Sequence, residues 1–267
     1  MTDEVAERGA HHVQSLERGL AVIKAFHTDA PELTLSDVAR STGLTRAAAR
    51  RFLLTLADLG YVRSDGKYFS LTARVLELGY SYLSSFSLPE VAQPHLEHLS
   101  SEVRESSSVS VLEGTDIVYV ARVAVSRIMT VTINVGTRFP AHATSMGHVL
   151  LAGLPDDELT GYLASARLDR LTPHTLTSPD AVRAELAQVT RQGWAMVDQE
   201  LEEGLRSVAA PIRDRKGMVI AAVNLSTHAS RTTAESVRNE LVPPLLATAA
   251  RIEADLALAP PARASRG

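Results

Sequence analysis

The sequence predicts an α+β protein of two domains: a small helical N-terminal domain closed by a β-hairpin, and a larger domain built on an antiparallel sheet, joined by a helix. Three observations predict it. Two helical patterns joined through Gly43 are followed at once by a hairpin signal at Ser64-Asp65-Gly66. An amphipathic stretch then runs to Leu88-Pro89, and beyond it strand-like alternation mixes with helical periodicity, several strands being paired through tight turns. With 45% hydrophobic and 22% charged residues, the 267-residue chain has apolar material for two modest cores and far too much for a disordered polymer.

In the first helix Leu16, Leu20, Ile23 and Phe26 recur at helical spacing behind Ser15 as N-cap, leaving Arg18 and Lys24 outside. After the break Asp29-Ala30-Pro31-Glu32, a short helix from about Ser36 to Ser41 is capped by Ser36. Gly43 can take positive φ, and Thr45 caps the next helix. That third helix has an apolar side of Ala48, Phe52, Leu53, Leu56 and Leu59, and a free side of Arg46, Arg50 and Arg51 with no acid before Asp58. Two short helices joined by a glycine turn, the second arginine-rich, make a helix-turn-helix, and the strand-like runs Tyr61 to Arg63 and Lys67 to Leu71 make a wing behind it. These elements fill residues 13–71, after a polar tail at 1–12 expected to be disordered. Residues 72–88 form a linker helix that the pre-proline restriction ends at Leu88.

Residues 89–258 form the second domain. PEVAQPHLEHLSSEVRES is helical; SSVSVLEG, DIVYVARVA and IMTVTINVG alternate as strands, the first two joined at Gly114-Thr115-Asp116. ATSMGHVLLAGL, PDDELTGYLASA and SPDAVRAELAQVTRQG are helical, the last bounded by Ser178-Pro179 and Gly193. WAMVDQE, SVAAPIRD and MVIAAVNLS are strands, and a closing helix runs from about Thr232 to Leu258 before a tail at 259–267 expected to be disordered.

Composition removes whole classes of chemistry. There is no cysteine, hence no disulfide framework, thiolate metal site, iron–sulfur cluster or cysteine nucleophile. The histidines form no H-E-x-x-H, and Glu200, Glu202 and Glu203 have no metal-spaced histidine beside them, so no metal and no cofactor is expected. Nucleotide-binding and serine-hydrolase glycine motifs are missing. Asp198 with Glu200 lacks a nucleophile or base partner, which argues against an enzyme. No window approaches the length of a membrane span, and the polar first dozen residues fit no targeting peptide, so a cytoplasmic protein without membrane partners is expected. The overall charge of −4 is dipolar: residues 13–75 carry a net +3, and the acidic remainder outweighs them. That asymmetry suits a chain whose first part alone approaches phosphate.

The partner expected from this pattern is double-stranded DNA. Arg46 and Arg50 share one helix face at i, i+4 and are assigned to base edges, where the guanidinium fork matches guanine. Thr45 opens the same helix, Arg51 is turned toward phosphate, the helix start at Ser36 can hold a phosphate, and Lys67 adds a salt-dependent contact. The plain alternative is an ordinary solvated arginine face. In the second domain, Thr144, Ser145, Met146 and Gly147 open a helix whose amides can receive a carboxylate, the glycine leaving the approach clear. The alternative there is that Thr144 or Ser145 caps the helix and Gly147 serves packing. Asn224 is polar in an apolar strand and needs a partner if buried; otherwise it is an exposed strand residue. Arg122 can pair an acid, or simply be solvated on an open sheet face.

The blocks SLERGLAVIKAF, LTLSDVARSTGLTRAAARRFLLTLADLGYV, YFSLTARVLELG, GTRFPAHATSMGHVLLA, GWAMVDQELEEGLRSVAAPIRD and VIAAVNLS resemble, in this order and over nearly the whole chain, the IclR family of bacterial transcriptional regulators. YVARV, RIM, VGTRFPA and ATSMG are most similar to its β-ketoadipate pathway branch, the PcaR, PcaU and PobR group. The resemblance implies a winged helix-turn-helix, a dimerising linker helix, a GAF-like effector domain, and assembly as a homodimer or dimer of dimers. It also implies a small carboxylic-acid effector: an aromatic acid such as protocatechuate or 4-hydroxybenzoate, or β-ketoadipate. By the same resemblance Glu200, Leu205, Arg206, Ser207, Asn224 and Ser226 face one effector cavity. His142 and His148 depart from the branch, which carries an aromatic or other residue and an arginine there. A regulator answering to a short keto acid or a sugar-derived acid, and a sensor enzyme that converts its ligand, are the alternatives.

Overall fold

The computed structural model describes residues 12–27, 30–78, 88–125 and 133–258. The chain divides into two compact units, Met1–Ser84 and Ser85–Gly267, with separate hydrophobic cores.

In the first unit α1 (Gln14–Lys24), β1 (Glu32–Thr34), α2 (Leu35–Thr42) and α3 (Arg46–Asp58) precede the hairpin of β2 (Val62–Ser64) and β3 (Tyr68–Leu71). Gly43 ends α2 in the left-handed region at φ 67°, and Thr45 caps α3 by accepting the Ala48 N–H at 3.2 Å. Three details differ from expectation. α1 starts behind Val13, which makes no side-chain cap bond, so Ser15 lies inside the helix. Ser36 likewise lies inside the first turn of α2: the cap is Thr34, whose hydroxyl accepts from the Asp37 N–H while the Asp37 carboxylate accepts from the Thr34 N–H at 3.1 Å. That reciprocal pair satisfies two orphan donors where Ser36 would satisfy one. Finally, the buried arcs are rotated. Val22 and Phe26 are buried while Leu16 and Leu20 stay 62% and 44% exposed, and α3 buries Ala49, Leu53 and Leu56 but leaves Leu59 outside. β1 was not legible in the sequence, since three residues are too few to alternate; it pairs antiparallel with β3 and makes the wing a three-stranded sheet in the order β1-β3-β2. Of the expected linker helix, Ala73–Val75 is a 3₁₀ turn and residues 79–87 lie outside the described residues.

The second unit contains α4 (Leu88–Val103), β4 (Ser106–Glu113), β5 (Asp116–Val123), β6 (Arg138–Pro140), α5 (Ser145–Ala152), α6 (Asp156–Ser165), α7 (Pro179–Gln192), β7 (Ala195–Asp198), β8 (Leu205–Arg213), β9 (Val219–His228) and α8 (Val242–Leu258). A π-helical segment, Val237–Leu241, leads into α8. The strands form one antiparallel sheet in the order β6-β5-β4-β9-β8-β7. The strand expected over IMTVTINVG falls partly on residues outside those described; its end is a turn with Gly136 at φ 89°, and pairing to β5 is made instead by β6.

Strand alternation divides the sheet between two cores. Val208, Ala210, Ile212, Val223 and Leu225 pack with α4 and α8; Ala209 and Ala222 pack with Met146, Leu150 and Leu186 of α5 and α7. Between β4 and β5 the register shifts at Val109/Ser110, so that Ser110 faces Tyr119 and Ser108 faces Arg122. This bulge puts Tyr119 and Arg122, three residues apart, on the same α5-facing side.

Candidate functional site

In the first unit the free side of α3 meets the wing. Arg46 and Arg50 line a groove of about 510 Å³ with Ser36, Ser64, Gly66 and Lys67. Their i, i+4 spacing therefore does place both on one flank, as expected, and Ser36 borders that groove although it caps nothing. Arg51 lies on the other flank of α3, against α1. The Thr45 hydroxyl is spent on the cap. At the wing tip Asp65 accepts the N–H groups of Lys67 at 2.9 Å and Tyr68 at 2.7 Å, and these bonds lower its carboxyl pKa. Lys67 Nζ stands 4.9 Å from the centre of the Tyr68 ring, keeping its charge at the exposed tip.

In the second unit the α5-facing side of the sheet carries a polar wall inside an apolar core. Arg122 donates from Nη1 to the Ser108 hydroxyl at 3.0 Å, while its buried Nε has no partner. Burial lowers the guanidinium's pKa, and among the described residues no carboxylate is paired with it. Across the sheet, Ser108 lies opposite Asn224, and Ser226 lies opposite Ser207. Asn224 is buried, donates to Ser226 Oγ at 3.1 Å and leaves its Oδ1 without a partner. Ser145, at the start of α5, donates to Ser207 at 2.9 Å. Tyr119, whose hydroxyl burial pushes up to about 12, lies edge-on to Phe139 and interacts electrostatically with Arg122. Arg122, Asn224, Ser226, Ser207 and Ser145 thus belong to one wall. Ser108, Ser110 and Tyr119 join them unanticipated; the signal was there in Ser106–Ser108 and Ser110, too many hydroxyls for a strand that packs on both faces.

Other expected residues are placed differently. Arg206 points to the opposite face, because alternation puts it with Val208; it binds Asp198 at 2.7 Å and the main-chain carbonyl of Thr232, so it is not part of this wall. Gly147 is a packing residue: a Cβ there would lie 2.0 Å from the Ala141 carbonyl oxygen, and its N–H is taken by Thr144 Oγ1 at 3.0 Å. Thr144 is the cap of α5. Met146 is core, its sulfur accepting from the Ser110 hydroxyl. Leu205 is buried at the start of β8. Glu200 sits in the turn before it, where the Thr172 and Thr175 hydroxyls bond its backbone carbonyl. Burial pushes its carboxyl up to about 7, against one long bond from the Leu176 N–H and with repulsion from Glu185 and Asp198. The two departures, His142 and His148, are buried side by side: His148 Nε2 donates to the His142 carbonyl at 2.6 Å, and burial holds its imidazole down to about 4.

Two family models match the two units. The helix-turn-helix domain of IclR covers residues 15–66, and the C-terminal domain of the bacterial transcriptional regulator IclR covers residues 80–254. The chain belongs to the IclR family. Within the family it is 48% identical over 234 residues to the Pca regulon regulatory protein of Pseudomonas putida, spanning 87% of this chain and 80% of that one. A crystal structure of a Rhodococcus sp. RHA1 regulator superposes with a TM-score of 0.83 at 62% identity, covering 92% of this chain and 98% of the other. An IclR homologue from Microbacterium hydrocarbonoxydans, crystallised with 4-hydroxybenzoate, superposes with a TM-score of 0.80 at 29% identity over 91% and 98% of the two chains. The IclR relative from Pseudomonas is named as a regulator, not as an enzyme. Among the described residues no cluster of three His, Asp or Glu could hold a metal, and no helix is long and apolar enough to cross a membrane.

Proposed function

We propose that this IclR-family regulator binds a small aromatic acid of the protocatechuate or 4-hydroxybenzoate type on the polar wall of its second unit and, as a dimer or dimer of dimers in the cytoplasm, changes its hold on a DNA operator in response. The observation that carries the effector reading is Arg122: a half-buried guanidinium with an unsatisfied Nε and no carboxylate partner among the described residues. Burying such a charge is costly unless an anion joins it. An effector carboxylate on Arg122 and Ser108 removes that cost, and a ring hydroxyl donates to the waiting Asn224 Oδ1. The 4-hydroxybenzoate complex of the Microbacterium homologue supports an aromatic acid over other anions. Arg46, Arg50 and Lys67 then read and hold DNA, and the effector acts by binding one DNA-competence state better than another.

The test is the thermal midpoint of the full chain against protocatechuate, 4-hydroxybenzoate, β-ketoadipate, glyoxylate and pyruvate. A ligand that binds the folded state raises the midpoint as concentration exceeds its Kd. The reading expects a shift with an aromatic acid in the wild type that Arg122→Met loses. A shift with glyoxylate or pyruvate alone reassigns the effector to short keto acids; an equal shift in Arg122→Met removes Arg122 from the site. Turnover of any of these acids would make the protein a sensor enzyme.

A further inference from the structure

α3 is flanked by two grooves. Arg46 and Arg50 line the one on the wing side; Arg51 and Thr55 line a second, of about 330 Å³, whose far wall is Gln14, Ser15 and Arg18 of α1. At about 100° per residue, the two sets are centred about 140° apart around the helix. The buried residues Ala49, Leu53 and Leu56 lie on the inner side between them, and the exposed Ala47 and Asp58 form the outward crest. Arg18 and Arg51 are both exposed. Glu17 is engaged by His12 and Asp37 by Arg40, and among the described residues no carboxylate pairs with either arginine. The Thr55 hydroxyl is spent on the Arg51 carbonyl, which leaves the guanidinium groups and the polar side chains of Gln14 and Ser15 as the groove's donors.

We propose that the α1-side groove is a second phosphate site, in which Arg18 and Arg51 grip one backbone ridge of the duplex while Lys67 of the wing grips the other. The proposal rests on the reading of α3 as the helix that enters the major groove. An α-helix with its side chains is about 10–12 Å across and the major groove about 12 Å wide, so a helix seated there has a phosphate ridge along each flank. The wing supplies a cation for one flank; without the second groove the other ridge would face Arg51 alone. Contacts of this kind orient the helix and carry no sequence information, because every nucleotide presents the same phosphate.

The experiment is fluorescence anisotropy of the full chain on a labelled mixed-sequence duplex at a series of salt concentrations. Each phosphate contact contributes a slope of about 0.9 in log K against log salt. Arg18→Ala and Arg51→Ala should each lower the slope by about that amount and the double variant by about twice it, while Arg18→Lys keeps it; Arg18→Gln and Arg51→Gln, which retain the aliphatic stem, give the same reading if an alanine variant does not fold. If Arg50→Ala and Lys67→Ala weaken binding but the Arg18 and Arg51 variants keep the wild-type slope, the second site is overturned and the reading of α3 stands. If none of the four substitutions alters binding, the reading of α3 falls and the second site with it.

Discussion

The surface we assign to DNA and the polar wall we assign to the effector both have arginine at their centre, but they are assembled in opposite ways. The wing-side groove comes from one short stretch, Ser36 to Lys67, on consecutive helices and a hairpin, and its arginines are exposed. The polar wall draws Ser108, Arg122, Ser145, Ser207 and Asn224 from five elements, and its arginine is half-buried, bonded to Ser108 with its Nε unpaired. An exposed guanidinium is hydrated and costs the fold little, whereas a half-buried one without an acid bears a desolvation cost that an anion would relieve. The contrast teaches that affinity at the first site should be governed by salt, and at the second by the shape and charge of a single small molecule.

The largest effect that could break this contrast is structural. Gly147→Val forces a side chain against the Ala141 carbonyl, where a Cβ alone would stand 2.0 Å away, and overpacking of this kind costs about 3 kcal/mol or more. Urea unfolding of the second unit should show that loss; an unchanged midpoint with lost effector binding would return Gly147 to the binding surface. Next, Arg122→Met should weaken an aromatic acid by about 10- to 100-fold, the worth of a charged hydrogen-bonded contact of about 1.5–3 kcal/mol, with nonspecific DNA affinity unchanged. Arg50→Ala is expected to cost about 1–3 kcal/mol at a specific operator and to relax its sequence preference, leaving effector affinity as it was. A separate effect is on pH. The folded-state Glu200 carboxyl, at about 7 against an ordinary value of 4.5, binds protons more tightly than in the unfolded chain, so stability should fall as pH rises from about 4.5 to 7 and then level off. Between about pH 4.5 and 7 the wild type should lose stability relative to Glu200→Gln as pH rises; a pH-independent difference between the two curves would contradict the buried placement of Glu200. His148 works in the other direction, with stability falling as pH drops from 6.5 toward 4.

The same contrast explains what could be read in advance. Gly43, Thr45 and the Ser64-Asp65-Gly66 turn carry their geometry locally, so the helix-turn-helix and wing were legible, and i, i+4 spacing alone separated Arg46 and Arg50 from Arg51. The cap at Thr34 was missed because two candidate hydroxyls lie two residues apart and only the reciprocal bond with Asp37 decides between them. In the second unit the helix termini were legible, but facing was not. Leu205, Arg206 and Ser207 are consecutive in a strand and cannot all point into one cavity; Arg206 goes to Asp198. Conversely, Tyr119 and Arg122 share a side only because of the bulge at Val109/Ser110, a register shift with no mark in the residues themselves. Gly147 was read as an effector contact, and the close approach of the Ala141 backbone behind it, remote from any periodicity, gives a packing reason for glycine that the sequence does not show.

The most direct test sets the two arginines on opposite faces of this sheet against each other. Calorimetric titration of 4-hydroxybenzoate and of protocatechuate into wild type, Arg122→Met and Arg206→Met compares a guanidinium that lacks an acid with one already paired to Asp198. The effector wall proposed here predicts binding of at least one acid that Arg122→Met weakens by about 10- to 100-fold and Arg206→Met leaves unchanged. Wild-type affinity in Arg122→Met would contradict it, and affinity weakened only in Arg206→Met would move the effector to the other face of the sheet.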